Sequence, residues 1–146
     1  MDELSKAVIE ILKSKLTELG IDLKTTPWTV YSAIIAHNKT NNDFELISFG
    51  SGIKCLPDKL INGHQHNLVH DMHAEVLCRR AFISFVFQKL INILILKATE
   101  DKYLKLDQLS GKYNWNEELD LIFYTSQSPC KMFLFQNSLL IFRWRR

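Results

Sequence analysis

A histidine, a carboxylate and a thiol stand at positions in this chain that suit metal-assisted chemistry. The tripeptide His73-Ala74-Glu75 supplies the first two, and Ser128-Pro129-Cys130 supplies the thiol. Zinc binds imidazole nitrogen and thiolate sulfur, and a catalytic zinc site has three protein ligands plus a water. A glutamate beside such a water can accept its proton and pass it to a leaving group. These residue types are therefore the ones that a hydrolytic zinc site uses.

The two-residue separation of His73 and Glu75 restricts where they can act together. Residues two apart do not face each other within a regular helix. They can converge only where the chain enters a helix, in its first turn, and there the positive pole of the helix dipole suits a carboxylate. Pro129 before Cys130 is compatible with a second helix start, which would favour a thiolate. Two helix N-termini facing one metal would form a coherent site.

The spacing is close to a known pattern but incomplete. The pattern H-x-E…P-C-x-x-C is typical of zinc-dependent nucleobase deaminases, in which the glutamate is not a ligand. Here the position of the second cysteine, 133, is occupied by Phe133. Among the other cysteines, Cys55 has no motif support as a ligand. Cys78 lies a turn beyond the site, and we expect it in the core.

Plainer interpretations of the same residues remain open. A Ser-Pro-Cys sequence is usually a strand-ending turn with a buried thiol. Adjacent Arg79 and Arg80 would ordinarily form a solvated helix face, and Lys54 would be a loop charge. A third alternative is a small protein with a structural metal bound by loop histidines, which are His64, His66, His70 and His73.

The hydrophobic pattern predicts the elements that position these residues. An apolar stripe from Leu4 to Leu19 predicts a helix that Gly20 ends. The runs Trp28–Ala36 and Phe44–Phe49 flank a turn cluster and predict a hairpin. A polar loop, residues 56–70, then leads to a helix from about Met72 to Lys97.

The remaining chain predicts a connection and a last strand. Residues 99–118 are charged and turn-prone, so we expect an exposed connection. Leu121–Thr125 predicts a buried strand that ends at the Ser128-Pro129-Cys130 segment. The order α-β-β-α-β predicts an α/β fold with helices packed on one sheet.

Charge and cysteine content limit the compartment and the partners that we expect for the protein. The net charge of the 146 residues is only +2, so any nucleic-acid contact must come from a local patch. The chain has three cysteines, an odd number, and its acidic N-terminus shows no apolar segment like a signal peptide. The cysteines are therefore expected to be free thiols or ligands in a reducing compartment. No apolar run is long enough for a membrane span. We therefore expect a cytoplasmic or nuclear protein without a membrane partner.

Three motifs together resemble the RNA adenosine deaminase (A-to-I editase) family. They are Gly50-Ser51-Gly52-Ile53-Lys54-Cys55, then His73-Ala74-Glu75-Val76 with Arg79-Arg80, and then Ser128-Pro129-Cys130. The absence of a double-stranded-RNA-binding module favours the branch that forms inosine beside the anticodon of tRNA. So does Pro27-Trp28-Thr29-Val30 directly after the first helix.

The resemblance implies a function and a set of roles. It implies zinc-dependent hydrolytic deamination of adenosine to inosine, with tRNA and not DNA as partner. His73 and Cys130 would bind zinc and Glu75 would be the catalytic proton shuttle. An inositol hexakisphosphate buried behind the site would contact Lys54, Arg79 and Arg80. The fold would be the N-terminal part of a cytidine-deaminase-like layered domain, incomplete in this sequence.

The chain departs from the family pattern at several positions. Ile53 stands where the family commonly has Thr, and His70 where it commonly has Asn. After Cys130 the family usually continues Gly-Asp-Ala, whereas this chain continues with residues 131–134, Lys-Met-Phe-Leu, and reaches Arg146 before the family's second cysteine.

These departures lead to expectations for the chain as a whole. We expect residues 1–130 to be the N-terminal part of an editase domain and residues 131–146 a divergent apolar and basic tail without partner strands. The 146-residue chain would then be a truncated form, inactive by itself because the third zinc ligand is missing. The alternative is a catalytically dead fragment that binds RNA or a partner.

Overall fold

An antiparallel four-stranded sheet organises the computed structural model, which describes residues 3–21, 29–55, 71–127 and 140–144. The sheet order is β2-β1-β7-β8, and two further two-stranded ribbons are formed by β3 with β4 and by β5 with β6. The elements in chain order are α1 (Glu3–Glu18), β1 (Tyr31–Asn38), β2 (Phe44–Ser51), β3 (Ile53–Cys55), β4 (Asp71–His73), α2 (Ala74–Leu96), β5 (Leu104–Asp107), β6 (Lys112–Trp115), β7 (Leu119–Thr125) and β8 (Leu140–Trp144).

The first helix forms as its apolar stripe predicts. Val8, Leu12 and Leu16 are buried along one side of α1. The helix ends where the backbone of Gly20 takes a φ of +71°, a conformation that costs a residue with a Cβ atom about 1 kcal/mol or more. The amide of Ile21 then donates to the carbonyl of Leu16 (2.8 Å), which closes the helix end.

The two helices cover opposite faces of the sheet. Side chains alternate between faces along a strand. Ala33 and Ile35 of β1 lie in one core with Val8 and Leu12 of α1. Ile34 lies between these two residues in β1 and therefore on the other face. Its register partner in β2, Ser48, contacts Cys78 of α2. The described chain is therefore layered as helix, sheet and helix.

Gly50 allows α2 to lie very close to β2. A Cβ atom at this position would lie 2.3 Å from the carbonyl oxygen of Ala74 and 2.5 Å from the amide nitrogen of Cys78. Both are backbone atoms, so the neighbouring chain has no flexible group that could move aside. This contact fixes the first turn of α2 against the end of β2.

The exposed connection predicted for residues 99–118 is wrong. This segment contains the β5–β6 ribbon, which packs on the second half of α2. Tyr103 and Leu104 are buried, in a core with Ile93 of α2 and Leu119 of β7. Its strands have only four residues each and alternate apolar or aromatic with charged or polar side chains, so their local composition was that of a loop.

Smaller corrections concern the element boundaries. The first predicted strand began at Trp28, which lies outside the described residues, whereas pairing starts at Tyr31 opposite Ser51. The second helix begins at Ala74 and not at Met72, because Met72 and His73 pair with β3. The tail was expected to lack partner strands, but β8 (Leu140–Trp144) pairs antiparallel with β7.

The predicted order α-β-β-α-β is thus confirmed for the main elements and supplemented by two ribbons and β8. Neither described helix combines the length and the apolar character that crossing a membrane requires.

Candidate active site

The first turn of α2 is tied to one edge of the sheet. The amide of Ala74 donates to the carbonyl of Gly52 (3.0 Å), and the amide of Gly52 donates to the carbonyl of Val30 (3.1 Å). Gly52 connects β2 to β3, and Val30 immediately precedes β1. The helix therefore begins at the edge where β1 starts and β2 ends.

The carboxyl end of β7 lies at the same edge. Thr125 pairs with Ser32, and their hydroxyls are 3.1 Å apart. Beyond the strand, the amide of Ser126 donates to the carbonyl of Tyr31 (2.8 Å), and the amide of Tyr31 donates to the Ser126 hydroxyl (2.9 Å). The chain thus heads towards Cys130 from the edge at which His73 lies, although residues 128–130 are outside the described residues.

His73 and Glu75 lie at the point where the chain enters α2, as their spacing predicted. His73 is the residue before the helix and has extended backbone angles, φ −66° and ψ 147°. Glu75 follows in the first turn and is half-buried. The change from extended to helical backbone between them removes the regular-helix geometry in which residues two apart face different sides. The amide dipoles of the first turn favour negative charge there.

Asp71 contacts His73, and motif reasoning did not single it out. Its Oδ1 atom accepts a hydrogen bond from the amide of His73 (2.9 Å) and lies 2.8 Å from Nδ1 of the His73 ring. The amide of His73 is the main cause that lowers the pKa of the Asp71 carboxyl. Slight burial opposes this, and the His73 ring and the positive charge of Arg80 add to it. An Asp two residues before a His is an available signal, because Asp side chains commonly bond the amide two residues on.

Cys78 is a core residue, as predicted. Its side chain is fully buried between α2 and β2, and its Sγ lies 3.3 Å from the hydroxyl of Ser48. Burial raises the pKa of the Cys78 thiol and outweighs the hydrogen bond from Ser48. A protonated, enclosed thiol is unsuited to binding zinc. The side chain of Cys55 is outside the described residues.

The three cations assigned to a phosphate ligand lie around the start of α2. Lys54, Arg79 and Arg80 are all exposed in this structure. Arg80 donates from Nη1 to the backbone carbonyl of Asp71 (2.9 Å), so it also holds β4 against the helix. Lys54 is on β3, opposite Met72 of β4. Their role in binding inositol hexakisphosphate stays a prediction.

No three metal-binding side chains come together within the ranges that the structure describes. Of the residues proposed from sequence as zinc ligands, His73 is described and Cys130 is not. Three of the four residues of the alternative histidine cluster, His64, His66 and His70, are likewise outside the described residues. The choice between the two ligand sets therefore stays open.

One known protein family matches the part of the chain that contains the candidate site. The model of the adenosine-deaminase (editase) domain matches residues 48–132, more than half of the chain. The matched range runs from the end of β2 through the start of α2 to the Cys130 segment. It therefore contains every residue to which the sequence assigned a role. No solved structure matches the chain.

The names of curated relatives agree with this family match. The chain is 31% identical over 104 residues to tRNA-specific adenosine deaminase 1 of Schizosaccharomyces pombe, covering 70% of this chain and 26% of that protein. It is 29% identical over 129 residues to the Drosophila melanogaster protein of the same name, covering 86% and 30%. The mouse double-stranded RNA-specific editase B2 is 27% identical over 135 residues, covering 88% and 18%. The chain thus spans under a third of the length of each of these relatives.

Proposed function

The chain belongs to the adenosine-deaminase (editase) domain family, and we propose that it supplies site residues of a zinc-dependent enzyme that converts adenosine to inosine in tRNA. One observation carries the proposal: His73 and Glu75 enter α2 at the sheet edge from which β7 leads towards Cys130. The name shared by the fission yeast and fly relatives supports tRNA as the substrate. The layered arrangement of α1, sheet and α2 supports a cytidine-deaminase-like domain.

His73 and Cys130 would hold the zinc ion. Imidazole and thiolate are the donors that zinc accepts, and the partly exposed side chain of His73 is accessible to an ion. When bound, zinc would supply an activated water to replace the amino group of adenine.

Glu75 would move the protons of the reaction. Its carboxylate, in the first turn of α2, would take a proton from the attacking water and deliver it to the departing ammonia. A carboxylate with this task is not a ligand of the metal. Glu75 is within the helix, two positions after the extended residue His73 that would be the ligand.

Lys54, Arg79 and Arg80 would bind inositol hexakisphosphate. Guanidinium groups donate two parallel hydrogen bonds to phosphate oxygens, which makes paired arginines well suited to a polyphosphate. The contact from Arg80 to Asp71 links one of these three cations to the strand that carries His73.

A chimera tests the function directly. Residues 1–130 would replace the matching part of the Saccharomyces cerevisiae tRNA-specific adenosine deaminase 1, to which this chain is 28% identical over 106 residues. The chimera would be expressed in a yeast strain that lacks its own copy of this protein, and inosine in tRNA would be measured. We expect inosine to be restored. A soluble chimera that restores none would contradict the proposal and favour a catalytically dead RNA- or partner-binding fragment.

A further inference from the structure

The second half of α2 has large apolar side chains on the side that faces away from the core. Each of them is between 53 and 72% exposed, and they are Phe87, Ile91, Leu94 and Ile95. Separations of three and four residues place them along one side of the helix, and we call this set the outer stripe. The opposite side of the same helix packs against the β5–β6 ribbon through Phe85, Val86, Leu90 and Ile93.

The outer stripe also lacks the charges that the solvent side of a surface helix normally has. Residues 81–96 contain one charged side chain, Lys89. It lies on the inner side, with its Nζ 3.9 Å from Asp101 and 4.8 Å from the centre of the Tyr103 ring. The exposed polar residues beside the outer stripe are uncharged, namely Ser84, Gln88 and Asn92. A helix that is apolar on opposite sides is typical of one that is covered on both.

The area of the outer stripe is large enough for a dimer. Its four side chains together expose about 500 Å² of surface, taking about 200 Å² for a large side chain. Two copies would bury about 1,000 Å² through these residues alone, which is the lower bound for a specific interface. The uncharged residues on the flank of the outer stripe would add to this area.

We propose that the outer stripe is an interface for a second copy of this chain, in which the two α2 helices pack antiparallel about a two-fold axis near Ile91. A two-fold interface brings the same surface of both copies together, so that surface must not repel itself. An uncharged stripe meets this condition. The exposed Arg79 and Arg80 at the start of α2 decide the orientation, because parallel helices would bring their four positive charges together. In the antiparallel arrangement Phe87 of one copy lies opposite Ile95 of the other.

Light scattering of the 146-residue chain during gel filtration, at increasing concentration, tests the proposal. We expect the mass to rise from 17.0 kDa to twice that value. Ile91→Lys would bury two like charges at the axis and should raise the dissociation constant about 100-fold or more. Leu109→Lys is the matched control. Leu109 is 100% exposed between β5 and β6, outside the outer stripe, so the same substitution there should leave the dimer intact.

A mixture of Ile91→Lys and Ile91→Glu should recover the dimer, because opposite charges then meet at the axis. Circular dichroism shows whether each variant folds, and Leu94→Lys repeats the test at a second position of the outer stripe if Ile91→Lys does not fold. A natural chain that stays monomeric at every concentration would overturn the proposal and leave the outer stripe to a different protein. Association that the lysine variants of the outer stripe leave unchanged would also overturn it, because another surface would then be responsible. Failure of the mixture to recover the dimer would refute the two-fold axis near Ile91.

Discussion

Two residues, His73 and Glu75, lie on either side of a change in backbone conformation, and the chemistry that we propose for the site depends on that change. His73 is the last extended residue, and the helix begins at Ala74. If the helix extended back through His73, the two side chains would point to different sides of α2. The pairing of β4 with β3 keeps His73 extended. The proposed site therefore depends on this pairing as much as on the residue types.

Replacing Glu75 with Gln should remove proton transfer without removing zinc. In the yeast chimera we expect Glu75→Gln to lower the rate of inosine formation by at least about 100-fold, the usual minimum for general acid–base help. Zinc content should not change, because Glu75 is not a proposed ligand. Glu10→Gln, at an exposed position of α1, is the matched control. A rate close to that of the unmodified chimera would refute the role of Glu75.

Replacing Arg79 with Ala should reduce the response to a polyphosphate. We expect inositol hexakisphosphate to raise the melting temperature of the chimera, because a ligand that binds the folded state stabilises it. Arg79→Ala should diminish that rise, while Lys13→Ala, which removes an exposed cation from α1, should leave it intact. The same rise in both variants would show that Arg79 takes no part in phosphate binding.

At the scale of elements, the position of α2 depends on two contacts at its ends. Its first turn lies against Gly50 of β2, and its second half is covered by the β5–β6 ribbon. The ribbon is connected back to β2 through Glu45, which accepts a hydrogen bond from the Tyr103 hydroxyl (2.6 Å) and pairs with Lys102.

A methyl group at position 50 should displace α2. Overpacking in a core typically costs 1–3 kcal/mol, and we expect Gly50→Ala to cost about 3 kcal/mol because both atoms in its way belong to the backbone. Gly20→Ala is the control, since its Cβ would meet no atom within 4 Å and its positive φ alone should cost about 1 kcal/mol. Urea unfolding of the two variants measures both values, and equal losses would contradict the close packing at Gly50.

Acid should weaken the connection between the ribbon and β2. Burial by itself would raise the pKa of Glu45, but hydrogen bonds from Lys102 and Tyr103 leave this pKa below its ordinary value. Burial is the main cause that raises the pKa of Tyr103, and the neighbouring Glu45 raises it further. The Tyr103 hydroxyl therefore keeps its proton and donates it in the hydrogen bond to Glu45. A carboxyl whose pKa is lower in the folded state stabilises the fold above its unfolded-state pKa, about 4.3. That contribution is lost as the pH falls through the lower folded-state value.

Unfolding measurements at about pH 6 and pH 3 test this contribution, a range that spans the ordinary glutamate pKa. We expect Glu45→Gln to lose less stability between the two values than the natural chain, with a difference below about 1 kcal/mol because the pair is solvent-accessible. The exposed Glu10→Gln variant should behave as the natural chain does. A larger acid sensitivity in Glu45→Gln would contradict the assignment.

For the whole molecule, we expect the supply of zinc ligands to limit the proposed activity. Catalytic zinc sites use three protein ligands. The sequence proposes two, His73 and Cys130, while the buried thiol of Cys78 is hydrogen-bonded to Ser48 and unavailable. Within the described ranges no group of three candidate ligands comes together.

The 146-residue chain by itself should therefore form no measurable inosine in tRNA, in contrast to the yeast chimera. Purified chain would be incubated with tRNA, and its zinc content would be measured in parallel. Inosine formed at a rate comparable to that of the chimera, with one zinc bound per chain, would show that a third ligand exists within this sequence.

The sequence by itself determined the parts of this protein that depend on local patterns. Apolar spacing predicted α1, the β1–β2 hairpin, most of α2 and β7, because each of these elements buries one continuous face. Residue types and spacing placed His73 and Glu75 at a helix start, and the motifs identified the editase family. These features need only neighbours within a few residues.

Tertiary structure alone decided the rest. The β5–β6 ribbon forms because Tyr103 and Leu104 are buried against Ile93 of α2, although its strands are too short and too charged to be recognised locally. No sequence motif gave Asp71 a role, since it lies between the predicted polar loop and the predicted second helix. Its carboxylate contacts the His73 ring two residues on, within a strand that exists only because β4 pairs with β3. The packing of the ribbon on α2 and the pairing of β4 with β3 across residues 56–70 both join segments distant in sequence, and no local pattern encodes a contact whose other half lies elsewhere in the chain.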